Sequence, residues 1–122
     1  MRRLLLATTF LICAAGSALA IDFNQEIKSF DDKTFIDQNG APAPQILGTI
    51  AENTLLNPPN GTGDDEKKKR FWLALKLHEH RKDPDLTIEE LALLKKSFAE
   101  NPSLAIMGQG MRLIDPNFVP KN

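Results

Sequence analysis

Helix-forming segments separated by strong helix breakers dominate the chain from residue 45 onward. Apolar residues recur there at intervals of three and four, first in "QILGTIAENTLL" and again on either side of Asp83-Pro84 and Asn101-Pro102. This spacing is typical of amphipathic helices, and stretches such as "NPPNGTG" end them. The sequence therefore predicts three or four α-helices within residues 45–115, which restricts the fold to a small, mostly helical domain.

Capping signals indicate where the helices begin. The stretch "DDEKKKRFWLALKLHE" has acids in its first turn, as the helix dipole favours, and Thr87 to Glu90 has the pattern of a capping box. We expect the last helix to start with Asn101 as N-cap and Pro102 at its first position, and Gly108 to allow a close backbone approach. The predicted apolar stripes are Ile88, Leu91, Leu94 and Phe98 in one helix, and Leu104, Met107 and Met111 in the next.

The residues that follow position 20 alternate in polarity instead. In "IDFNQEIKSF" the apolar positions recur every second residue, which is the period of a strand. Turn residues Asp31-Asp32-Lys33 and a return strand "TFI" then predict a β-hairpin over residues 21–37. An isolated hairpin is barely stable, so it must pack on the helices. The predicted fold class is α+β, predominantly helical, with a short N-terminal hairpin on three or four helices and an extended tail at 116–122.

Residues 1–20 have the three parts of a secretory signal peptide. Arg2-Arg3 supply the positive end, a short apolar run follows, and small residues precede Ile21. We predict cleavage between Ala20 and Ile21, which would leave one domain, 21–122, in the periplasm or outside a bacterial cell. The alternative, retention as a membrane anchor, requires a longer apolar run, because a spanning helix needs about 20 apolar residues.

Cleavage would change the chemistry available to the chain. Cys13 is the only cysteine, so the cleaved chain would contain no disulfide, thiol nucleophile or thiolate ligand. The net charge would fall from −1 to −3, because Arg2 and Arg3 leave with the leader. A mildly acidic protein is a poor general ligand for nucleic acid or anionic lipid. We therefore expect no nucleic-acid partner and membrane contact only through the transient signal peptide.

The titratable residues form no recognisable catalytic or metal-binding pattern. His78 and His80 point about 200° apart on a helix, whereas a zinc-binding helix places its histidines four residues apart. The acidic pairs, such as Glu89-Glu90, stand at turns or helix starts, where the helix dipole explains them. We predict no metal, no cofactor and no catalytic residue. A small enzyme that uses His78 or a carboxylate pair is the alternative, because acid-base sites leave weak sequence traces.

Trp72 lies out of phase with the apolar residues of its helix. The predicted core side holds Phe71, Ala74, Leu75 and His78, while Trp72 falls among Lys68, Lys69, Lys76 and Glu79. The indole could pack on lysine stems or on the hairpin, or it could be an exposed anchor for a protein partner. The basic run "EKKKR" spreads around the helix and is typical of a solvated helix start. The candidate partner-binding residues are Trp72, Lys68, Lys69 and Lys76.

The order of "LGTIAENTLL", "FWLALKLHE", "LTIEELALLKK" and "GQGMRLID" resembles the layout of small function-unassigned proteins of bacteriophages and prophages. The resemblance implies a compact accessory protein, for instance of virion assembly, with no established catalytic residues. The predicted signal peptide departs from that group. Both features together imply a prophage-encoded exported protein, and blocking superinfecting phage at the envelope is one role of that kind.

The sequence as a whole predicts an exported, periplasmic or secreted, non-enzymatic protein that acts by binding another macromolecule or by self-association. One alternative is a cytoplasmic virion-assembly factor whose apparent signal peptide is a start-site artefact or a fusion. The other is the small enzyme described above.

Overall fold

A computed structural model describes residues 20–118 of the chain. The predicted leader, except Ala20, and the end of the predicted tail lie outside the described residues. The predicted fold class is confirmed, since a two-stranded antiparallel hairpin precedes four helices. No helix in this part of the chain has the length and apolar character needed to cross a membrane. The elements are β1 (Glu26–Ile27), β2 (Gln45–Ile46), α1 (Leu47–Leu56), α2 (Asp64–Glu79), α3 (Ile88–Phe98) and α4 (Leu104–Ile114).

The strand pair joins segments that are distant in the sequence. β1 pairs with β2, so that Glu26 lies opposite Ile46. The predicted return strand "TFI" lies in the connection between them, where Ile36 forms an isolated bridge to Pro42. The prediction of a hairpin over 21–37 was therefore wrong about the second strand. Turn chemistry indicated a local turn, but β2 continues directly into α1, and the burial of α1 in the core determines which segment pairs with β1.

The first residues of the described chain cap α1. Residue Ile46, at the N-cap, offers no side-chain hydrogen bond, and the first N–H groups of a helix need acceptors. The carbonyl of Gln25 accepts from the Leu47 N–H at 2.9 Å, and that of Phe23 accepts from the Gly48 N–H at 2.8 Å. The N-terminal segment and α1 therefore stabilise each other.

α3 begins with the predicted capping box. The Thr87 hydroxyl accepts from the Glu90 N–H at 3.1 Å, and the Glu90 carboxylate accepts from the Thr87 N–H at 2.9 Å. Leu94 and Phe98 are buried as predicted, but Ile88 is 77% exposed. Ile88 is the first residue of the helix, so it lies beyond the part of α3 that packs on the core.

α4 begins later than its sequence predicts. Ser103 is the N-cap, and its hydroxyl accepts from the Ile106 N–H at 3.3 Å. The prediction of Asn101 as N-cap and Pro102 as first residue was wrong, because the Asn101 amide oxygen accepts from the Ser103 N–H at 2.8 Å and so stabilises the preceding turn. Leu104, predicted in the apolar stripe, is exposed.

Gly110, not Gly108, is the glycine at a close approach. A Cβ atom on Gly110 would overlap the ring of Phe98, whereas one on Gly108 would meet nothing within 4 Å. The close approach therefore lies between α4 and the C-terminal end of α3.

One hydrophobic core joins the four helices and β1, with α1 packed between α2 and α3. The predicted extended tail starts with a turn instead, in which the Phe118 N–H donates to the Asp115 carbonyl at 3.0 Å. The buried apolar residues are Ile21, Phe23, Ile27, Leu47, Ala51, Leu55, Leu73, Ala74, Leu77, Leu86, Leu94, Phe98 and Ile114.

Candidate interaction surface

α2 turns a different face to the core than its apolar residues predict. Arg70, Leu73 and Leu77 are buried, whereas Phe71 is 51% and Trp72 is 63% exposed. At 100° per residue, Trp72 lies about 150° from the middle of the buried face, so its indole faces solvent. The prediction that Phe71 lies on the core side was wrong, because Arg70, which the hydrophobic pattern counts as polar, lies on the buried face.

The two exposed aromatic residues form a pair. The ring centroids of Phe71 and Trp72 are 5.2 Å apart, and the ring planes meet at 77°. This edge-to-face geometry is a favourable one, worth about 0.5–1.5 kcal/mol beyond the area that it buries. Each ring therefore limits the rotamers of the other, and the pair presents a defined apolar shape to solvent.

A shallow groove between α1 and α2 continues the apolar surface. Its volume is about 250 Å³, and its lining residues include Leu56 and Leu75. Leu56 is half-exposed at the end of α1. The aromatic patch is the surface formed by Leu56, Phe71, Trp72 and Leu75.

His78 and Glu52 bound the groove at its polar end. His78 Nδ1 lies 3.3 Å from the Glu52 carboxylate, to which Arg81 also binds at 2.6 Å. The His78 side chain is mostly exposed, so its predicted place on the buried side was wrong. It lies on the same side of α2 as Phe71, and that side faces the groove and not the core.

The lysines near Trp72 differ in their partners. Lys68 and Lys69 are exposed and have no carboxylate within 4.0 Å among residues 20–118. Lys76 binds the Glu90 carboxylate at 2.8 Å and also donates to the carbonyl of Asp85. Burial of Glu90 opposes its ionisation, but hydrogen bonds from Lys76 and Thr87 outweigh it and lower the pKa of Glu90. Lys76 thus joins α2 to α3, whereas the other two face solvent.

A buried arginine underlies this surface, and the sequence analysis did not find it. Arg70 is 1% exposed. Its Nε donates to Glu66 at 3.0 Å, its Nη2 donates to Glu100 at 2.9 Å, and its Nη1 donates to the Thr54 carbonyl at 3.2 Å. The reading of "EKKKR" as a wholly solvated helix start was wrong at this residue. The Glu66-to-Arg70 spacing of four was the available signal, since such pairs meet on one helix face.

Arg70, Glu66, Lys96 and Glu100 form a charged cluster that connects the inner face of α2 to the neighbouring helices. Lys96 of α3 binds Glu66 at 2.7 Å, and hydrogen bonds from Lys96 and Arg70 lower the pKa of Glu66. Arg70 reaches α1 through Thr54 and the end of α3 through Glu100. Because Arg70 bonds to α1 and to Glu100 from the inner face of α2, Phe71 and Trp72 lie on the outer faces.

The acidic pairs that were alternatives for catalysis lie where local structure explains them. Asp64-Asp65 occupy the first turn of α2, and Glu89-Glu90 that of α3. Asp31-Asp32 lie in the turn after β1. Over residues 20–118, no three or more His, Cys, Asp or Glu side chains come together as a group that could hold a metal ion.

Comparison with known proteins gives no relative. No protein-family model matches the chain, and neither a curated protein nor a solved structure matches it significantly. The resemblance to phage and prophage proteins stays a prediction.

Proposed function

We propose that this chain is an exported, single-domain binding protein that holds an acidic protein surface through the aromatic patch and its neighbouring lysines. The observation that carries the proposal is the aromatic pair on the outer side of a helix whose inner side is fixed by a buried arginine. Trp and Arg dominate the energetics of protein interfaces, and anchors work best when they are already ordered. The Phe71–Trp72 pair contains a tryptophan, and its two rings are already ordered by their contact.

The patch offers enough apolar surface for a specific contact. A Trp or Phe side chain buries about 150–250 Å² in an interface. At about 25 cal/mol per Å², covering 200 Å² is worth roughly 5 kcal/mol before the costs of association. The groove beside Leu56 and Leu75 supplies a concave surface next to these rings, which suits an inserted apolar side chain of the partner.

The charges favour a protein partner with carboxylates around its contact surface. Lys68 and Lys69 flank Trp72 without an ion pair among the described residues. A symmetric pair of copies would bring these lysines toward a patch of the same charge, and like charges across an interface are unfavourable. An anionic bilayer is flat and extended, so it would meet the acids Asp64, Asp65 and Glu79 of the same helix together with the lysines, which opposes binding. A protein surface can instead place its carboxylates opposite the lysines alone.

Cleavage at the predicted site is compatible with the core of the described chain. Ile21 is buried and Ala20 is exposed. Cleavage between them would keep every buried apolar residue of the described chain. The three-part leader described above supplies the export signal.

The binding proposal is tested with three immobilised forms of the protein: the parent chain, Trp72→Ala and Leu104→Ala. Leu104 is 76% exposed and lies on α4, so Leu104→Ala is a matched loss of a large exposed apolar side chain outside the aromatic patch. Proteins from the envelope fraction that bind the parent and Leu104→Ala but not Trp72→Ala are then purified. Each is titrated against the parent chain.

Trp72 is the only tryptophan of the chain, so its fluorescence reports its own burial. With a partner that has no tryptophan at the contact, we expect a blue shift of the emission on binding. Phe71→Ala should weaken the affinity about 30-fold or more, as loss of a hot spot does. Lys68→Glu with Lys69→Glu should slow association and reduce its salt dependence.

Two outcomes would overturn the choice of partner. Saturable binding of phosphatidylglycerol vesicles with the same blue shift would make the patch a lipid-binding surface. Concentration-dependent dimerisation that Trp72→Ala abolishes would make it a contact between copies. Failure of every purified candidate to distinguish Trp72→Ala from Leu104→Ala would end the binding proposal altogether.

Export is tested separately, by mass measurement of the protein recovered from each cell compartment. We expect a chain that begins at Ile21 in the periplasm or medium. Intact chains that begin at Met1 and are soluble in the cytoplasm would overturn export and favour the alternative of a cytoplasmic assembly factor.

A further inference from the structure

A second concave site lies between the N-terminal segment and α4, and it shares no lining residue with the groove between α1 and α2. The groove has a volume of about 520 Å³, within the range of roughly 300–1,000 Å³ that is typical of small-molecule sites. One wall is the chain from Gln25 to Asp32, and the other is formed by Gln109, Arg112 and Leu113 of α4.

The two walls are fixed to each other. Gln109 Nε2 donates to the carbonyl of Lys28 at 2.8 Å and to that of Ser29 at 3.1 Å. The turn that follows is closed by the Ser29 N–H, which donates to the Lys33 carbonyl at 2.9 Å. The groove is therefore formed before any ligand arrives.

Charges of both signs line this groove without neutralising each other. Glu26 and Asp32 are carboxylates, and Lys28 and Arg112 are cations. None of the ion pairs among residues 20–118 includes any of these four residues. Within this part of the chain, the guanidinium of Arg112 donates only to the Gln109 amide oxygen, at 2.9 Å.

The carboxylate of Glu26, which lines this groove, is incompletely compensated. Its Oε2 atom is buried, and the described part of the chain offers it no hydrogen-bond partner. Buried polar atoms are nearly always satisfied, and an exception requires an explanation. A cationic group bound in the groove would stabilise the negative charge of this carboxylate.

We propose that the groove binds a small zwitterion of the short-peptide class. Its ammonium group would bind at the Glu26 and Asp32 carboxylates, and its carboxylate would bind at Arg112 and Lys28. A guanidinium is well suited to a carboxylate because it can donate two parallel hydrogen bonds. Phe30 and Leu113 line the same groove and offer apolar contact to the side chains of the peptide. This site shares no residue with the aromatic patch, so each proposal can be tested without the other.

The test titrates trialanine into the ¹⁵N-labelled protein recovered from cells and follows the amide signals. We expect saturable shifts confined to residues 25–32 and 109–113. The same peptide with its amino terminus acetylated and its carboxyl terminus amidated is the control ligand. Because it lacks both charges, it should bind at least about 10-fold more weakly.

Variants locate the two ends of the ligand. Glu26→Gln and Arg112→Gln should each weaken trialanine binding about 10-fold, whereas Lys82→Gln, an exposed lysine outside the groove, should leave it unchanged. If Glu26→Gln loses the dispersed spectrum of the folded protein, Asp32→Asn replaces it in the test. An absence of shifts at about 10 mM trialanine, which corresponds to a binding free energy weaker than about −3 kcal/mol, would overturn the proposal. Equal shifts with the blocked peptide, or binding that neither charge variant weakens, would overturn it equally.

Discussion

Arg70 of α2 and Glu100, just beyond α3, are joined by two hydrogen bonds from one guanidinium nitrogen, at 2.9 and 3.0 Å. The guanidinium is buried, while the carboxylate keeps 28% of its side-chain surface exposed. The pair therefore couples an inner position of α2 to a partly solvated residue thirty positions later.

Removing the partly exposed carboxylate of this pair should cost more stability than replacing the buried arginine by an apolar residue. In Glu100→Ala the buried guanidinium loses a charged acceptor, which we expect to cost about 1.5–3 kcal/mol in the free energy of unfolding. In Arg70→Met no buried charge remains, and such replacements are often neutral or stabilising. Urea denaturation measures both changes.

The double variant Arg70→Met with Glu100→Ala completes the comparison. Once the guanidinium is gone, Glu100→Ala should change the free energy of unfolding by no more than about 0.5 kcal/mol. If Arg70→Met alone destabilises the fold by more than Glu100→Ala, the packing of the arginine stem, and not its charge, determines its contribution.

Acid should weaken the fold through Glu66 and Glu90. Hydrogen bonds from Lys96 and Arg70 lower the pKa of Glu66, and those from Lys76 and Thr87 lower the pKa of Glu90 in spite of burial. Each carboxylate therefore binds fewer protons in the folded state than in the unfolded state, where its pKa is near 4.5. The stability that the two carboxylates contribute is present above pH 4.5. It is lost as the pH falls through their lower pKa values in the folded protein.

Urea midpoints measured from pH 7 down to about 3 test this dependence. Glu66→Gln should flatten the acid part of the curve, because the glutamine does not titrate. Glu79→Gln is the control, since Glu79 is exposed and forms no ion pair in the described part of the chain. A curve for Glu66→Gln that is parallel to that of the parent would contradict the assignment.

Local signals in the sequence predicted where the helices lie better than they predicted which face of each helix is buried. The Thr87 capping box involves residues three apart and is found as predicted. The buried face of α2 could not be predicted in the same way, because its central residue is Arg70. A charged residue can be buried only with partners, and Glu100 and the Thr54 carbonyl are distant in the sequence.

The strand pairing and the candidate surface show the same limit. Glu26 and Ile46 pair across twenty residues, and a turn at Asp31-Asp32 gave a nearer but incorrect partner. That Trp72 lies out of phase with the core could be predicted, because helical phase is a local property. Phe71 and His78 were placed on the wrong side, since the rotation of α2 was predicted incorrectly, whereas Ala74 is buried as predicted.

The two glycines of α4 should respond oppositely to alanine. Gly110→Ala would place a Cβ atom on the ring of Phe98, and overpacking of this kind costs about 1–3 kcal/mol. Gly108→Ala meets nothing within 4 Å, so only the helix propensity changes, and we expect a gain of up to about 1 kcal/mol. Thermal unfolding of the two variants checks both signs. Equal destabilisation by both would contradict the packing of α4 on Phe98.

Trp72 should matter little to the stability of the isolated protein. Its indole is mostly exposed, so Trp72→Ala loses the edge contact with Phe71 and little else. We expect a cost within about 1 kcal/mol. Leu77→Ala, on the buried face of the same helix, should cost about 2–5 kcal/mol, because it leaves a cavity in the core. Urea denaturation of both variants measures the contrast.

If Trp72→Ala destabilises the fold as much as Leu77→Ala does, the indole is part of the packing, and a loss of binding in that variant could no longer be assigned to the surface. A small cost, together with the loss of partner binding, would separate the role of Trp72 from that of the core face of α2.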